Sequence, residues 1–111
     1  MNYTPFFNPA VTDKVAVGST GATAKHKLGY LVIYNPNASL AYLQIHAAPA
    51  ASVTLGTTVP AQSYPILATA SLVLTGIDLQ LDAGGLTIAA TTTSDGATVV
   101  GTGLVVSGGL K

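Results

Sequence analysis

Between Leu28 and His46 the chain reads LGYLVIYNPNASLAYLQIH, two runs rich in Leu, Ile, Val and Tyr on either side of Asn35-Pro36-Asn37-Ala38. β-Branched and aromatic side chains suit a half-buried pleated surface, while Asn and Pro favour a tight reversal. The stretch predicts a β-hairpin. Pairing odd residues with odd places Leu31 and Ile33 beside Leu43 and Ile45 on one face. Tyr30, Val32 and Tyr34 then share the other face with Leu40, Tyr42, Gln44 and His46. The first face reads as core. The second mixes tyrosines with a polar tip and is too apolar to lie open to water, so a second sheet or another chain is expected over it.

The same period of two recurs downstream. Leu72, Leu74, Ile77, Leu79 and Leu81 alternate with Ser71, Val73, Asp78, Gln80 and Asp82, and Thr75-Gly76 shifts the phase by one, as a bulge would. Leu86, Ile88, Ala90 and Thr92 predict the next strand, and Thr98 to Val106 a last one. Lys14 to Val17 and Ser52 to Thr58 read as short strands. Pro60 and Pro65 bracket an edge strand or loop at Ala61-Gln62-Ser63-Tyr64, because proline cannot donate to a central ladder. Pro49 interrupts the one alanine-rich run that might have made a helix. Seven or eight short strands with regular turn signals predict an all-β fold, an antiparallel two-sheet β-sandwich of jelly-roll type, in one domain from residue 14 to residue 111.

Residues 1–13 carry Pro5, Pro9 and the aromatic trio Tyr3, Phe6 and Phe7 without strand or helix periodicity, and read as an extended N-terminal arm. Burying each phenylalanine would contribute ~1.5–3 kcal/mol, on the chain's own core or on a neighbour. The N-terminus lacks the basic and apolar blocks of a signal peptide, and prolines cut the uncharged region from Leu28 to Ile77 into pieces too short to cross a bilayer. A chain made in the cytoplasm and not inserted in membrane is expected.

Charge is the second constraint on function. Only 7% of the residues are charged, against about a quarter in an ordinary soluble protein. Four Lys and four Asp, with no Arg and no Glu, give a net charge of zero, so no basic patch exists to neutralise phosphates and nucleic-acid binding is not expected. A neutral, charge-poor surface lacks the repulsion that keeps monomers apart and favours assembly. The absence of cysteine removes disulfides and thiolate metal sites.

Catalytic constellations are missing. Asp78 and Asp82 share a strand face about 13 Å apart, too far for the paired acids of a glycosidase. Asp13 and Asp95 sit where turns use Asp for backbone bonds. His26 and His46 would lie opposite or diagonal at the open end of the hairpin, but two imidazoles flanked by Lys25 and Lys27 do not complete a zinc site. No GxSxG elbow accompanies the serines, and Gly18-Ser19-Thr20-Gly21-Ala22-Thr23 lacks the Lys and helix of a phosphate loop. The expectation is a protein that is not an enzyme and holds no cofactor.

In YLVIYNPNASLAYLQIH, VTLGTTVP, the Tyr64-Pro65-Ile66 region and GLTIAATTTSDGATVV, the chain resembles small all-β structural proteins of tailed bacteriophages, among them capsid decoration or cement proteins. The resemblance runs from about Tyr30 to Val106. It implies a virion component on the capsid surface that binds the major capsid protein of the assembled shell, forms a homotrimer and seals joints between capsomers. On this reading Tyr30, Tyr34 and Tyr42 serve sheet or subunit packing, and Tyr3, Phe6 and Phe7 anchor the arm. The other class considered is a carbohydrate- or receptor-binding module of a phage tail or head fibre, disfavoured by the lack of Trp platforms and by the short tail after Val106.

Overall fold

The computed structural model describes residues 4–17, 26–76, 79–81 and 86–110. They form nine strands: β1 (Thr4–Val11), β2 (Val15–Ala16), β3 (His26–Tyr34), β4 (Ala41–His46), β5 (Gln62–Ile66), β6 (Ser71–Leu74), β7 (Leu79–Leu81), β8 (Thr87–Thr91) and β9 (Leu104–Leu110). Among the described residues one 3-10 turn, Ala50–Ser52, is the whole helical content. The strands make two antiparallel sheets. Sheet I runs β1-β9-β3-β6, with β7 also on β3, and sheet II runs β2-β8-β4-β5. The chain is therefore all-β, as its period-two pattern predicts.

Alternation along each strand sends one set of side chains to a shared interior. Leu31 and Ile33 of β3 and Leu104 and Val106 of β9 join Leu43 and Ile45 of β4 and Ile88 and Ala90 of β8 in a single buried apolar cluster. A register shift around Gly29 lets Leu28 and Leu31, an odd number of residues apart, both face it. The interruption expected at Thr75-Gly76 falls between β6 and β7, which pair with successive parts of β3, and Gly76 there has φ +64°.

The predicted hairpin does not form. β3 and β4 belong to different sheets, and residues 35–40 arch from one to the other. The reason is chemical. Asn35 is fully buried, its Nδ2 donates to the carbonyls of Ser39 (3.0 Å), Ile66 (3.0 Å) and Leu67 (3.2 Å), and its Oδ1 accepts from the backbone N–H and the Nδ2 of Asn37, both at 2.9 Å. Asn37 in turn donates to Thr102 O (2.7 Å) and accepts from Thr102 N–H (2.9 Å). The turn residues are tied to the β5–β6 connection and to the approach to β9, which leaves them unable to close a two-stranded reversal. Period two is satisfied equally by a hairpin and by an arch, so the faces predicted as core, with Leu31, Ile33, Leu43 and Ile45, are core in either case.

The N-terminal segment read as an extended arm, docked on its own core or on a neighbour, is, from Thr4 to Val11, the edge strand β1 on β9. Prolines 5 and 9 confine it to an edge, where a missing N–H is tolerated. Asn8 Oδ1 accepts the Ala10 N–H at 3.0 Å across Pro9, where the register slips. Phe6 sits opposite Gly108 and packs against the core. A Cβ on Gly108 would lie 2.7 Å from Phe6 Cζ and 2.7 Å from Tyr30 O, so this glycine, in what reads as a tail, is the floor on which the Phe6 ring rests. This explains why the last strand ends at Leu110 and not at Val106. The strand expected over Ser52 to Thr58 is instead a turn: Thr54 N–H donates to Thr58 Oγ1 (2.9 Å), Thr54 O accepts from the Thr57 and Thr58 N–H groups, and Gly56 supplies φ +85°.

Candidate functional site

Since each sheet turns one face to the core, each has an outer face, and the two are built differently. On sheet I the positions between Tyr30 and Tyr34 of β3, with those opposite them, carry no charged side chain. Phe7, Ser107, Val32 and Val73 lie side by side across four strands, and Tyr34 is flanked by Val105 and Ser71. Phe7 is 65% exposed and Val73 60% exposed, and Val32 and Tyr34 are also open to solvent. These exposed apolar side chains are neighbours on one face and are not scattered singly over the surface.

The outer face of sheet II is covered by the chain itself. Tyr42, Gln44 and His46 alternate with core residues along β4, opposite Thr91, Ala89 and Thr87 of β8. Gln44, His46, Thr87, Ala89 and Thr91 are buried, as is Val53, while Ala89 and Val53 stand apart from the main core cluster. Two segments lie over them. The β4–β5 connection is held by Thr87 Oγ1, which donates to Ala48 O at 2.7 Å, and by the Lys14 ammonium, which donates to Val53 O. The β8–β9 connection is held by Gln44 Nε2, which donates to Gly96 O at 3.2 Å, and by Ser63 Oγ, which donates to Ser94 O at 2.8 Å. The two meet at Gly56, where a Cβ would stand 3.0 Å from Ala97 Cβ.

A polar chain runs beneath this cover. His46 Nε2 and Gln44 Oε1 are 2.9 Å apart, Gln44 Nε2 donates to Thr91 Oγ1 (2.9 Å), and Thr91 Oγ1 donates to Thr93 O (2.6 Å). With the Gln44 amide nitrogen committed to Thr91 and Gly96, its oxygen accepts from His46, which makes the imidazole the Nε2–H tautomer. Nδ1 is then a buried acceptor, and it has no partner among the described residues. Burial pushes the His46 pKa below its ordinary 6.5, because desolvation disfavours the imidazolium. Burial also raises the Tyr64 phenol above 10.

The aromatic residues singled out in the sequence are dispersed. Tyr30 and Tyr34 face outward on sheet I, Tyr42 lies half-buried on the opposite side of the molecule, Phe6 faces the core and Phe7 faces solvent. Tyr3 lies outside the described residues, as do Asp78 and Asp82. His26 belongs to sheet I and His46 to sheet II, so they are not cross-strand neighbours. No group of three or more His, Asp or Glu that could hold a metal occurs among the described residues. A groove beside Ile66 and Leu72, about 220 Å³ in volume, is smaller than the ~300–1,000 Å³ of most small-molecule sites. No helix among the described residues is long and apolar enough to cross a membrane. Sequence reasoning expected a second sheet or another chain over the face that carries Gln44 and His46; both are buried, but under the chain's own connections, since nothing local announces that residues 47–61 fold back over them. Comparison with protein-family models, with curated proteins and with solved structures finds no match.

Proposed function

We propose that this chain is a structural protein of a tailed-phage virion, a capsid decoration or cement protein that binds the major capsid protein of the assembled shell. In this reading it acts as a homotrimer on the capsid surface and stabilises joints between capsomers. The observation that carries it is the uncharged, exposed apolar face of sheet I, on a chain with only 7% charged residues. Such a face is hidden by association, not by charge repulsion.

The strand order supports it as well. If β6 and β7, end to end along β3, are counted as one strand, the orders β1-β9-β3-β6 and β2-β8-β4-β5 follow the winding of an eight-stranded jelly roll, a β-sandwich architecture recurrent among viral shell proteins. Contact runs through sheet I, with Phe7, Tyr30 and Tyr34 at the interface. Phe6 packs against the chain's own core, so of the two phenylalanines it is Phe7 that is left to the interface.

Light scattering of the purified chain over a concentration series, with negative-stain images of phage heads prepared with and without it, tests the proposal. A trimer that decorates and stabilises shells is expected. A monomer at high concentration that leaves shells bare overturns it.

A further inference from the structure

A titratable side chain is buried on the covered side of sheet II, away from the face that carries the assembly reading. His46 is 1% exposed, its Nε2–H is spent on Gln44 Oε1, and its Nδ1 has no partner among the described residues. A second proton would go on Nδ1, where it finds no acceptor among the described residues. The groups packed around it give the charge no compensation. β8 presents Thr87 and Thr91, β5 presents Ser63, and both are uncharged. The approach to β2 brings the cation Lys14, whose ammonium holds the Val53 carbonyl. The carboxylates on these elements, Asp13 and Asp95, are exposed, and Asp13 already accepts the Lys14 N–H at 2.7 Å.

The cover over His46 is held mainly from its margins. Side chains of Thr87, Lys14, Gln44, Ser63 and Thr91 each donate one hydrogen bond to a backbone carbonyl of the two segments, and the Ala61 N–H donates to Ile45 O at 2.7 Å. The segments are short of regular structure, with one 3-10 turn between them. The main core lies on the other side of sheet II and does not include Val53 or Ala89. Lifting the cover would give the imidazolium water without opening the core.

We infer that residues 47–61 and 92–98 form an acid-released latch over sheet II: protonation of His46 at Nδ1 opens these segments and exposes Val53 and Ala89 while the two sheets stay paired. The sign follows from linkage. The closed form holds His46 with a lowered proton affinity, so the open form takes up the proton first. Closure is therefore strongest above about 6.5 and weakens as pH falls from there towards the closed-state value.

Amide hydrogen exchange of the full chain at pH 7.5 and 5.5, corrected for intrinsic exchange chemistry, tests this. Protection over residues 47–61 and 92–98 should fall up to about tenfold at the lower pH, the factor set by one pH unit below the open-state value. Protection of β3 and β9 should not change. His46→Gln, which keeps a donor for Gln44 Oε1, should hold both segments closed at both pH values, and His26→Gln should behave as the parent. Unchanged protection, uniform loss across both sheets, or a pH response that survives in His46→Gln overturns the inference. Should His46→Gln fail to fold, imidazole nitrogen shifts in the parent decide. His46 must gain its second proton in the pH range where the two segments lose protection, and protonation outside that range overturns the latch.

Discussion

Asn35 shows how one side chain can direct a fold. Its amide satisfies three backbone carbonyls and its oxygen two donors, all of them within the arch or at the β5–β6 connection. Replacing it by alanine strands buried carbonyls and should cost about 3 kcal/mol, read as a lowered urea midpoint with an unchanged m-value. A midpoint shift within about 0.5 kcal/mol would mean that the arch is held by other contacts. Gly108 is the second such residue. A methyl group there meets the Phe6 ring and the Tyr30 carbonyl at 2.7 Å, and since backbone cannot yield as a flexible side chain can, Gly108→Ala should destabilise by about 1–3 kcal/mol. Neither effect can be read from residue type alone, since a buried Asn and a strand Gly are ordinarily weak points.

At the scale of elements, β1 ties the N-terminus to the C-terminal strand, with Thr4 opposite Leu110 and Phe6 opposite Gly108. Deleting residues 1–11 removes an edge strand together with the Phe6 and Val11 side chains from the core, and leaves β9 as the new edge. The truncated chain should lose thermal stability and part of its β-sheet circular dichroism. An unchanged spectrum and melting temperature would return the segment to an extended arm outside the sandwich. Phe6→Ala separates the side chain from the strand: truncating a partly buried ring should cost about 2–3 kcal/mol, with the sheet content kept. Three of the edge strands, β1, β5 and β2, are guarded. β1 carries Pro5 and Pro9, β5 carries Pro65, and β2 is two residues long, each a recognised obstacle to edge-to-edge pairing.

For the whole molecule, the two outer faces have opposite fates. Sheet II is roofed by the chain's own connections, and sheet I is left to solvent or to another subunit. Charge on the open face is the direct probe. Val32→Lys and Val73→Lys replace exposed side chains and should change the folding free energy by no more than about 0.5 kcal/mol. Each should nonetheless shift the chain to monomer in light scattering and strip it from phage shells. Association that survives both substitutions would place the interface elsewhere.

Local pattern was enough for the all-β class, for the core faces around Leu31, Ile33, Leu43 and Ile45, and for the break at Thr75-Gly76. Each rests on alternation or on a turn residue within a few positions. Tertiary structure decided the rest. Whether the Asn35 turn closes a hairpin or spans two sheets depends on carbonyls at Ile66 and Leu67, about thirty residues away. Whether Phe6 belongs to an arm or to the core depends on a glycine at the far end of the chain. A period of two says which side chains share a face; what lies against that face is set by long-range contacts that no window of sequence contains.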